Sequence, residues 1–364
     1  MKLLVQPGEG VKPLVKGIDA AKKTIDILIF RFDHKDVERA LVKAAARGVR
    51  VRALIAYTNR GGEKNLRALE LRLLASGVTV ARTADDLMRY HGKMIIIDRR
   101  DLYLLAFNFT YQDTERSRSF AIITKEGKLV QEAVKLFEAD TLRQPYTAGS
   151  SSFIVSPINA RERLGAFIKA TKKDLVIYDP NLSDPQMLKL LEERIKAGVT
   201  VRLIGKTKKN TKFPNRKLAG MRLHTRSMVR DDVYVFMGSQ SLRQAELDKR
   251  REIGIIIRDP KVAGVLLQTF NQDWNQTAGS EGVEASAPTE KIAKRVAKAM
   301  TKDLPPVAPV MEVVVKELAG EGIELDMNSE KLQDTVKDAV KNAVKEAVRE
   351  VFEDAEPQEL SEPS

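Results

Sequence analysis

Two of the three histidines in this chain sit in matching surroundings. One opens His91-Gly92-Lys93-Met94-Ile95-Ile96-Ile97-Asp98, the other His224-Thr225-Arg226-Ser227-Met228-Val229-Arg230-Asp231. Each segment reads His, one residue, a base, four residues, Asp. Both have strand character, and alternate side chains on a strand share a face, so His91 points with Lys93 and His224 with Arg226. A neutral imidazole beside a fixed cation suits a phosphate: one group attacks or passes protons while the other holds the anion. The third histidine, in Phe32-Asp33-His34-Lys35-Asp36, precedes a helical pattern and lacks the motif. It reads as a surface or helix-capping residue.

The elements that must position these groups are written twice. Residues 17–56 lie over 167–206 at a constant offset of 150, with Ala20-Ala21-Lys22-Lys23 on Ala170-Thr171-Lys172-Lys173. An apolar strand follows in each copy, Ile25 to Phe30 and Leu175 to Tyr178. Next comes an amphipathic helix, from about Lys35 to Arg47 in the first copy and opening at Ser183-Asp184-Pro185 in the second, an N-terminal signal. Gly48 and Gly198 suit the helix ends, and the strands Val49–Arg52 and Val199–Arg202 follow. A strand–helix–strand unit of this length predicts a parallel crossover, hence an α/β sandwich in each half. The second copy lacks much of the helical segment that the first has at Leu66 to Leu74.

The paired motifs resemble the phospholipase D superfamily, whose mark is two copies of His-x-Lys-x4-Asp, each followed by Gly-Ser-x-Asn. In the first copy Leu105-Ala106-Phe107-Asn108 keeps the Asn and loses Gly-Ser; in the second Gly238-Ser239-Gln240-Ser241 keeps Gly-Ser and loses the Asn. The family also places a carboxylate 28 residues after the histidine, which is Glu252 in the second copy and Ser119 in the first. The resemblance covers residues 10 to about 275, through Phe270 to Trp274, and implies two pseudo-repeated phospholipase D-like α/β sandwich domains with the site at their interface. It further implies that His91 attacks phosphorus to form a phosphohistidine while His224 serves as acid and base. Glu252 would orient His224, leaving His91 without a carboxylate. Lys93, Arg226, Asn108 and Ser239 would hold the phosphoryl oxygens, with Ser241 in the place of the second Asn. Asp98 and Asp231 are expected to be structural partners of nearby bases. No metal or other cofactor is required by this chemistry.

Domain boundaries follow from composition. The stretch Pro145-Tyr146-Thr147-Ala148-Gly149-Ser150-Ser151-Ser152 reads as the join, giving a first repeat at 1–148 and a second at 149–276. A linker at 277–288 leads to a charged helical tail at 289–364, where Val336, Val340, Val344, Val348 and Phe352 recur at four-residue steps and suit helix–helix association. Residues 276–364 carry 11 Lys+Arg against 19 Asp+Glu, so the remaining chain holds 51 basic and 31 acidic residues. Such a basic body attracts polyanions: anionic lipid, nucleic acid or phosphorylated small molecules. The basic run Lys206 to Arg222, with Phe213 as its one aromatic, reads as a lip over the site or a solvated loop. The chain has no cysteine, which removes thiolate chemistry and fits a reducing cytoplasm. No signal peptide or membrane span is read, so peripheral contact at the inner membrane face is the expected form of any membrane association. The leading expectation is a phospholipid phosphodiesterase or phosphatidyltransferase. A nuclease-like phosphodiesterase and a catalytically degenerate polyanion-binding protein are the alternatives.

Overall fold

The computed structural model describes residues 1–57, 63–207, 211 and 213–278. The first half runs β1 (Lys2–Gln6), α1 (Lys12–Ala20), β2 (Thr24–Ile29), α2 (Lys35–Ala46), β3 (Arg50–Ile55), α3 (Glu63–Ala75) and β4 (Thr79–Arg82). It continues through β5 (Arg89–Tyr90), β6 (Met94–Ile97), β7 (Asp101–Leu105), α4 (Tyr111–Glu115), β8 (Ser117–Thr124) and α5 (Gly127–Leu142). The second half comprises β9 (Phe153–Val155), α6 (Ala160–Lys169), β10 (Asp174–Leu182), α7 (Pro185–Lys196), β11 (Thr200–Thr207) and β12 (Asn215–Arg216). Then follow β13 (Arg222–Leu223), β14 (Arg226–Arg230), β15 (Tyr234–Gly238), α8 (Gln244–Asp248), β16 (Arg250–Arg251), β17 (Ile253–Arg258) and α9 (Pro260–Ala278).

The repeat read in the sequence is visible in the sheets. One sheet has the order β1-β8-β7-β6-β2-β3-β4, the other β12-β11-β10-β14-β15-β17-β9. In both, the strands flanking the first long helix pair in parallel, β2 with β3 and β10 with β11, while the strand that follows the motif histidine pairs antiparallel to them. Asp184 caps α7 by accepting from the amides of Gln186 and Met187, with Pro185 in the first turn. Such a cap contributes about 1 kcal/mol. Gly48 and Gly198 take the left-handed conformation that ends α2 and α7, with φ of +84° and +86°.

Strand alternation sorts the apolar residues into layers. In β6, Met94 and Ile96 face one core and Ile95 and Ile97 another, as the two-residue period requires. The inner core gathers one face of each sheet, including Leu104 and Phe120 with Val176 and Met237, together with Leu136 of α5 and Phe270 of α9. Outer cores lie under α1 and α2 in the first half and under α6 and α7 in the second. Full burial of each such Ile or Leu contributes roughly 1.5–3 kcal/mol. Residues Met1–Gly279 accordingly form one compact unit.

Several expectations change on inspection. Helix α9 runs through Ala278, so the expected linker is helical where it begins; its remainder and the helical tail at 289–364 lie outside the described residues. His34 stands at the N-cap position of α2 but is buried, its ring stacked on Tyr111 at 4.1 Å between centroids, so it is not a surface residue. Within the basic run, Phe213 is buried, Arg216 donates to the Trp274 carbonyl and Arg222 pairs with Asp113, so these positions are held in place rather than forming a solvated loop.

Candidate active site

The two halves exchange short strands at the motif histidines. β5, just before His91, pairs in parallel with β16, and the His91 amide donates to the Arg251 carbonyl at 2.7 Å. β13, just before His224, pairs in parallel with β8, and the His224 amide donates to the Arg118 carbonyl at 3.0 Å. Each histidine therefore has its backbone stitched to the opposite repeat. Two short ladders, built the same way, bring both imidazoles into one buried interface.

This exchange corrects the expected carboxylate pairing. Glu252 Oε2 lies 2.8 Å from His91 Nδ1, so the second repeat's carboxylate orients the first repeat's histidine. His91 does not lack an orienting acid, and Glu252 does not serve His224. The position equivalent to Glu252, Ser119, is buried against the His224 carbonyl, to which its hydroxyl donates at 3.2 Å. His224 instead lies beside Asp113, with Nδ1 3.0 Å from Oδ2, a contact that becomes an ion pair only when the imidazole is protonated. Asp113 also accepts from the Asn108 amide and side chain at 2.8 and 2.7 Å and from Arg222 at 2.5 Å. Sequence reasoning missed Asp113. A signal was available, because Asp113 follows His91 by the same interval that Glu246 follows His224.

The remaining motif residues gather around this pair. Lys93 is fully buried, with Nζ 2.9 Å from His91 Nε2. Arg226 donates from Nε to the Ser241 hydroxyl at 3.1 Å, and its Nη1 is buried without a partner, as is Oδ1 of Asn108. Ser239 is fully buried and its hydroxyl is engaged with the Ile253 amide and carbonyl. Asp98 and Asp231 lie in the hairpins after β6 and β14. Their carboxylates accept from backbone amides, Lys22, Lys23 and Thr24 for Asp98 and Lys172, Lys173 and Asp174 for Asp231, and Asp231 also lies 3.9 Å from the side chain of Arg230, a nearby base of the kind expected.

The departures from Gly-Ser have a packing explanation. Gly238 pairs with Gly254 across β15 and β17, where an added Cβ would stand 2.7 Å from the Gly254 Cα. The equivalent pair across β7 and β8 is Leu105 with Ala121, both fully buried. The first repeat fills the space that the second closes by approach of bare backbones.

Electrostatics separate the two histidines. Burial, then Lys93 and Arg226, hold the His91 imidazole well below the usual histidine value. With Nδ1–H directed at Glu252, its Nε2 carries the lone pair, which in the empty site faces Lys93 Nζ at 2.9 Å. Burial pushes His224 down to about 4, against the upward pull of Asp113. Burial opposes ionisation of Asp113 too, but His224, Arg222 and the Asn108 amide outweigh it and hold the carboxylate well below its ordinary range. Burial raises Glu252, with Lys93 and Ser239 opposing. Lys93 is pushed down to about 7, chiefly by burial. His224 is among the charges that act on His91, as expected of groups sharing one site. Among the described residues no cluster of three acids and histidines is arranged to hold a metal, and no helix is long and apolar enough to cross a membrane. A groove of about 850 Å³ lined by Phe32, Arg39, Arg72 and Tyr111 includes neither motif histidine.

Comparison with known proteins agrees with this architecture. A mitochondrial cardiolipin hydrolase of Danio rerio is 28% identical over 130 residues, covering 35% of this chain and 56% of that protein. A phospholipase D of Rickettsia prowazekii (strain Madrid E) is 28% identical over 127 residues, covering 34% and 59%. The aligned segment thus spans little more than half of each relative. Among solved structures, a polyphosphate kinase from Porphyromonas gingivalis superposes with a TM-score of 0.62 at 20% identity, over 73% of this chain and 49% of that one. A phosphatidylserine synthase from Haemophilus influenzae Rd KW20 superposes at 0.54 with 12% identity, over 76% and 85%. Both likenesses speak to the fold. The family described as cardiolipin synthase, PLD-like domain, matches residues 14–141 and 164–274, one segment in each repeat. The chain belongs to this family, and with it to the phospholipase D superfamily.

Proposed function

We propose that the chain is a metal-independent phosphodiesterase or phosphatidyltransferase acting on phospholipid through a phosphohistidine. The observation that carries this reading is the crossed bracing of two neutral, buried imidazoles, His91 by Glu252 and His224 by Asp113, across one interface. His91 Nε2 attacks phosphorus, and the bond from phosphorus to the leaving alcohol breaks as protonated His224 delivers its proton to that oxygen. His224, now neutral, takes a proton from water or an acceptor alcohol. The oxygen so activated attacks phosphorus, the N–P bond breaks and His91 is released. Lys93 and the unpartnered Nη1 of Arg226 face the phosphoryl oxygens and offset charge as it builds. The arriving anion also raises the low pKa of His224, so substrate binding itself favours the acid form the first step needs.

Phospholipid is favoured as substrate by the relatives named for cardiolipin hydrolysis and phospholipase D activity. The basic body, 51 Lys+Arg against 31 Asp+Glu before residue 276, suits peripheral docking on anionic lipid. The same charge suits nucleic acid, the second reading. Labelled phosphatidylglycerol vesicles and single-stranded DNA, each with wild type, His91→Ala and His224→Ala, separate the two. Lipid turnover lost in both variants supports the proposal, DNA cleavage lost in both selects the second reading, and no turnover of either contradicts catalysis.

A further inference from the structure

Each motif histidine is tied to an arginine of the opposite repeat. The carbonyl that accepts from the His91 amide belongs to Arg251, and the one that accepts from the His224 amide belongs to Arg118. Both arginine side chains are largely buried, and each turns to an aspartate on a long helix of the repeat that owns the histidine. Arg251 meets Asp140 of α5 at 3.2 Å, while Arg118 meets Asp273 of α9 through Nε and Nη2, both at 2.8 Å. Each also donates from Nη1 to the carbonyl of a residue that precedes a proline, Ser156 at 3.4 Å and Gln6 at 2.9 Å. His, Arg and Asp all recur at one offset of 133, so the two sets are copies. Each set closes a loop through both repeats: histidine amide, arginine carbonyl, guanidinium, aspartate, and back along the histidine's own repeat.

These loops reach the reacting atoms through one residue each. Arg251 directly precedes Glu252, so its guanidinium anchors the segment that holds both the backbone and the ring of His91. Arg118 directly precedes Ser119, whose hydroxyl donates to the His224 carbonyl. The two braces are unequal. Asp273 is held at both oxygens, and its Oδ2 also accepts from the Tyr178 hydroxyl at 2.5 Å. Leu28 stands in the place of Tyr178 in the first repeat, and Asp140 Oδ2 and Arg251 Nε are buried without a hydrogen-bond partner among the described residues. Burial pushes Asp140 up to about 6 despite Arg251, so the single contact does not offset desolvation. A bidentate pair fixes geometry more firmly than a single contact. We propose that Arg251 with Asp140, and Arg118 with Asp273, are positioning pairs, the first setting the reach of His91 to phosphorus and the second that of His224 to the leaving oxygen, with the His91 brace the looser. The assignment of steps rests on the phosphohistidine reading above; the bracing does not.

Three histidines make the test direct, because the full chain labelled with [15N]histidine gives three backbone amide signals. The His34 amide, which donates to the Phe109 carbonyl outside both braces, is the internal reference. Hydrogen exchange is read at pH 7.5 and corrected for intrinsic rates. In wild type the His91 amide exchanges at least about threefold faster than that of His224. Asp140→Ala speeds His91 about tenfold further and leaves His224 within about twofold; Asp273→Ala does the reverse, and Asp140→Asn and Asp273→Asn, which keep an acceptor oxygen, recover part of each loss. Equal effects of both substitutions on both amides mean general loosening and overturn the pairing, as does unchanged exchange at its own histidine in either folded Asn variant. Single-turnover formation of the phosphoenzyme then reads the steps. Asp140→Asn slows it about tenfold with nitrophenyl and alkyl leaving groups alike, and Asp273→Asn slows only the alkyl diester, which needs a proton. The same slowing of both diesters by both variants overturns the assignment of steps. Crossed exchange effects with no phosphoenzyme in wild type support the braces and contradict the catalytic reading alone, so the two failures are distinguishable.

Discussion

Replacing Asp113 by Asn tests whether this residue took over the duty that Ser119 cannot perform. The change keeps shape and removes one charge. Asp113 Oδ2 lies 3.0 Å from His224 Nδ1 in a site where both side chains are buried. With charge centres about 4 Å apart and an effective dielectric near 20, an ionised carboxylate favours an imidazolium by about 4 kcal/mol. That corresponds to roughly a thousandfold in a step that depends on protonated His224. An amide in place of the carboxylate also permits the wrong imidazole tautomer, which acts in the same direction. Part of the effect is structural, because Arg222 loses its partner; a loss of roughly 3 kcal/mol in stability is expected. The pH profile separates the two contributions. Asp113 raises the pKa of His224, so Asp113→Asn lowers it further and, because the first step needs protonated His224, moves the alkaline limb of that step to lower pH. Hydrolysis of a chromogenic phosphodiester across pH 4–9, with thermal melts alongside, reads both. A folded variant with activity within about threefold of wild type and an unmoved alkaline limb refutes the assignment.

Three further outcomes follow from the same geometry. Glu252→Gln releases the His91 tautomer and slows formation of the phosphoenzyme by about 10²–10³-fold in single-turnover kinetics; an unchanged first step with a slowed second would mean Glu252 serves the other histidine. Lys93 is pushed down to about 7, so it is largely neutral at pH 8 and must gain a proton to hold an anion. Phosphate binding at pH 8 therefore takes up close to one proton at this group and much less at pH 6, read by calorimetry in buffers of different ionisation enthalpy; buffer-independent heats at pH 8 contradict it. Asp98→Ala removes the acceptor for the amides of Lys22, Lys23 and Thr24 and places Ala at a φ of 52°, costing about 2 kcal/mol and lowering Tm by roughly 4–8 °C, with little change in kcat.

Much of the fold could be read directly, because the repeat is local. The Ala-x-Lys-Lys lead-in, the capped helix at Asp184-Pro185 and the glycines at 48 and 198 each encode a turn or helix end from neighbouring residues. The histidine motifs were legible for the same reason. What could not be read was which acid meets which imidazole. Spacing along one repeat suggests a partner within that repeat, whereas the pairing is decided by β5 on β16 and β13 on β8, contacts between distant parts of the chain. From sequence, Ser119 therefore leaves His91 without a carboxylate; in the structure Glu252 braces His91 and Asp113 lies against His224. Leu105 and Ala106 read in sequence only as the loss of Gly-Ser, and are buried apolar residues of β7 and its end. His34 was misplaced because no sequence rule announces that Tyr111, far along the chain, stacks over it.

The proposed cycle depends above all on His91 Nε2 as the atom that takes the phosphoryl group. Wild type and His224→Ala are mixed with a phosphodiester substrate, quenched within one turnover in alkali to preserve the phosphoramidate, digested and mapped by mass spectrometry. The adduct is predicted on the peptide containing His91, absent in His91→Ala and longer-lived in His224→Ala when the leaving group needs no proton. An adduct on His224, or product formed by His91→Ala at the wild-type rate, contradicts it.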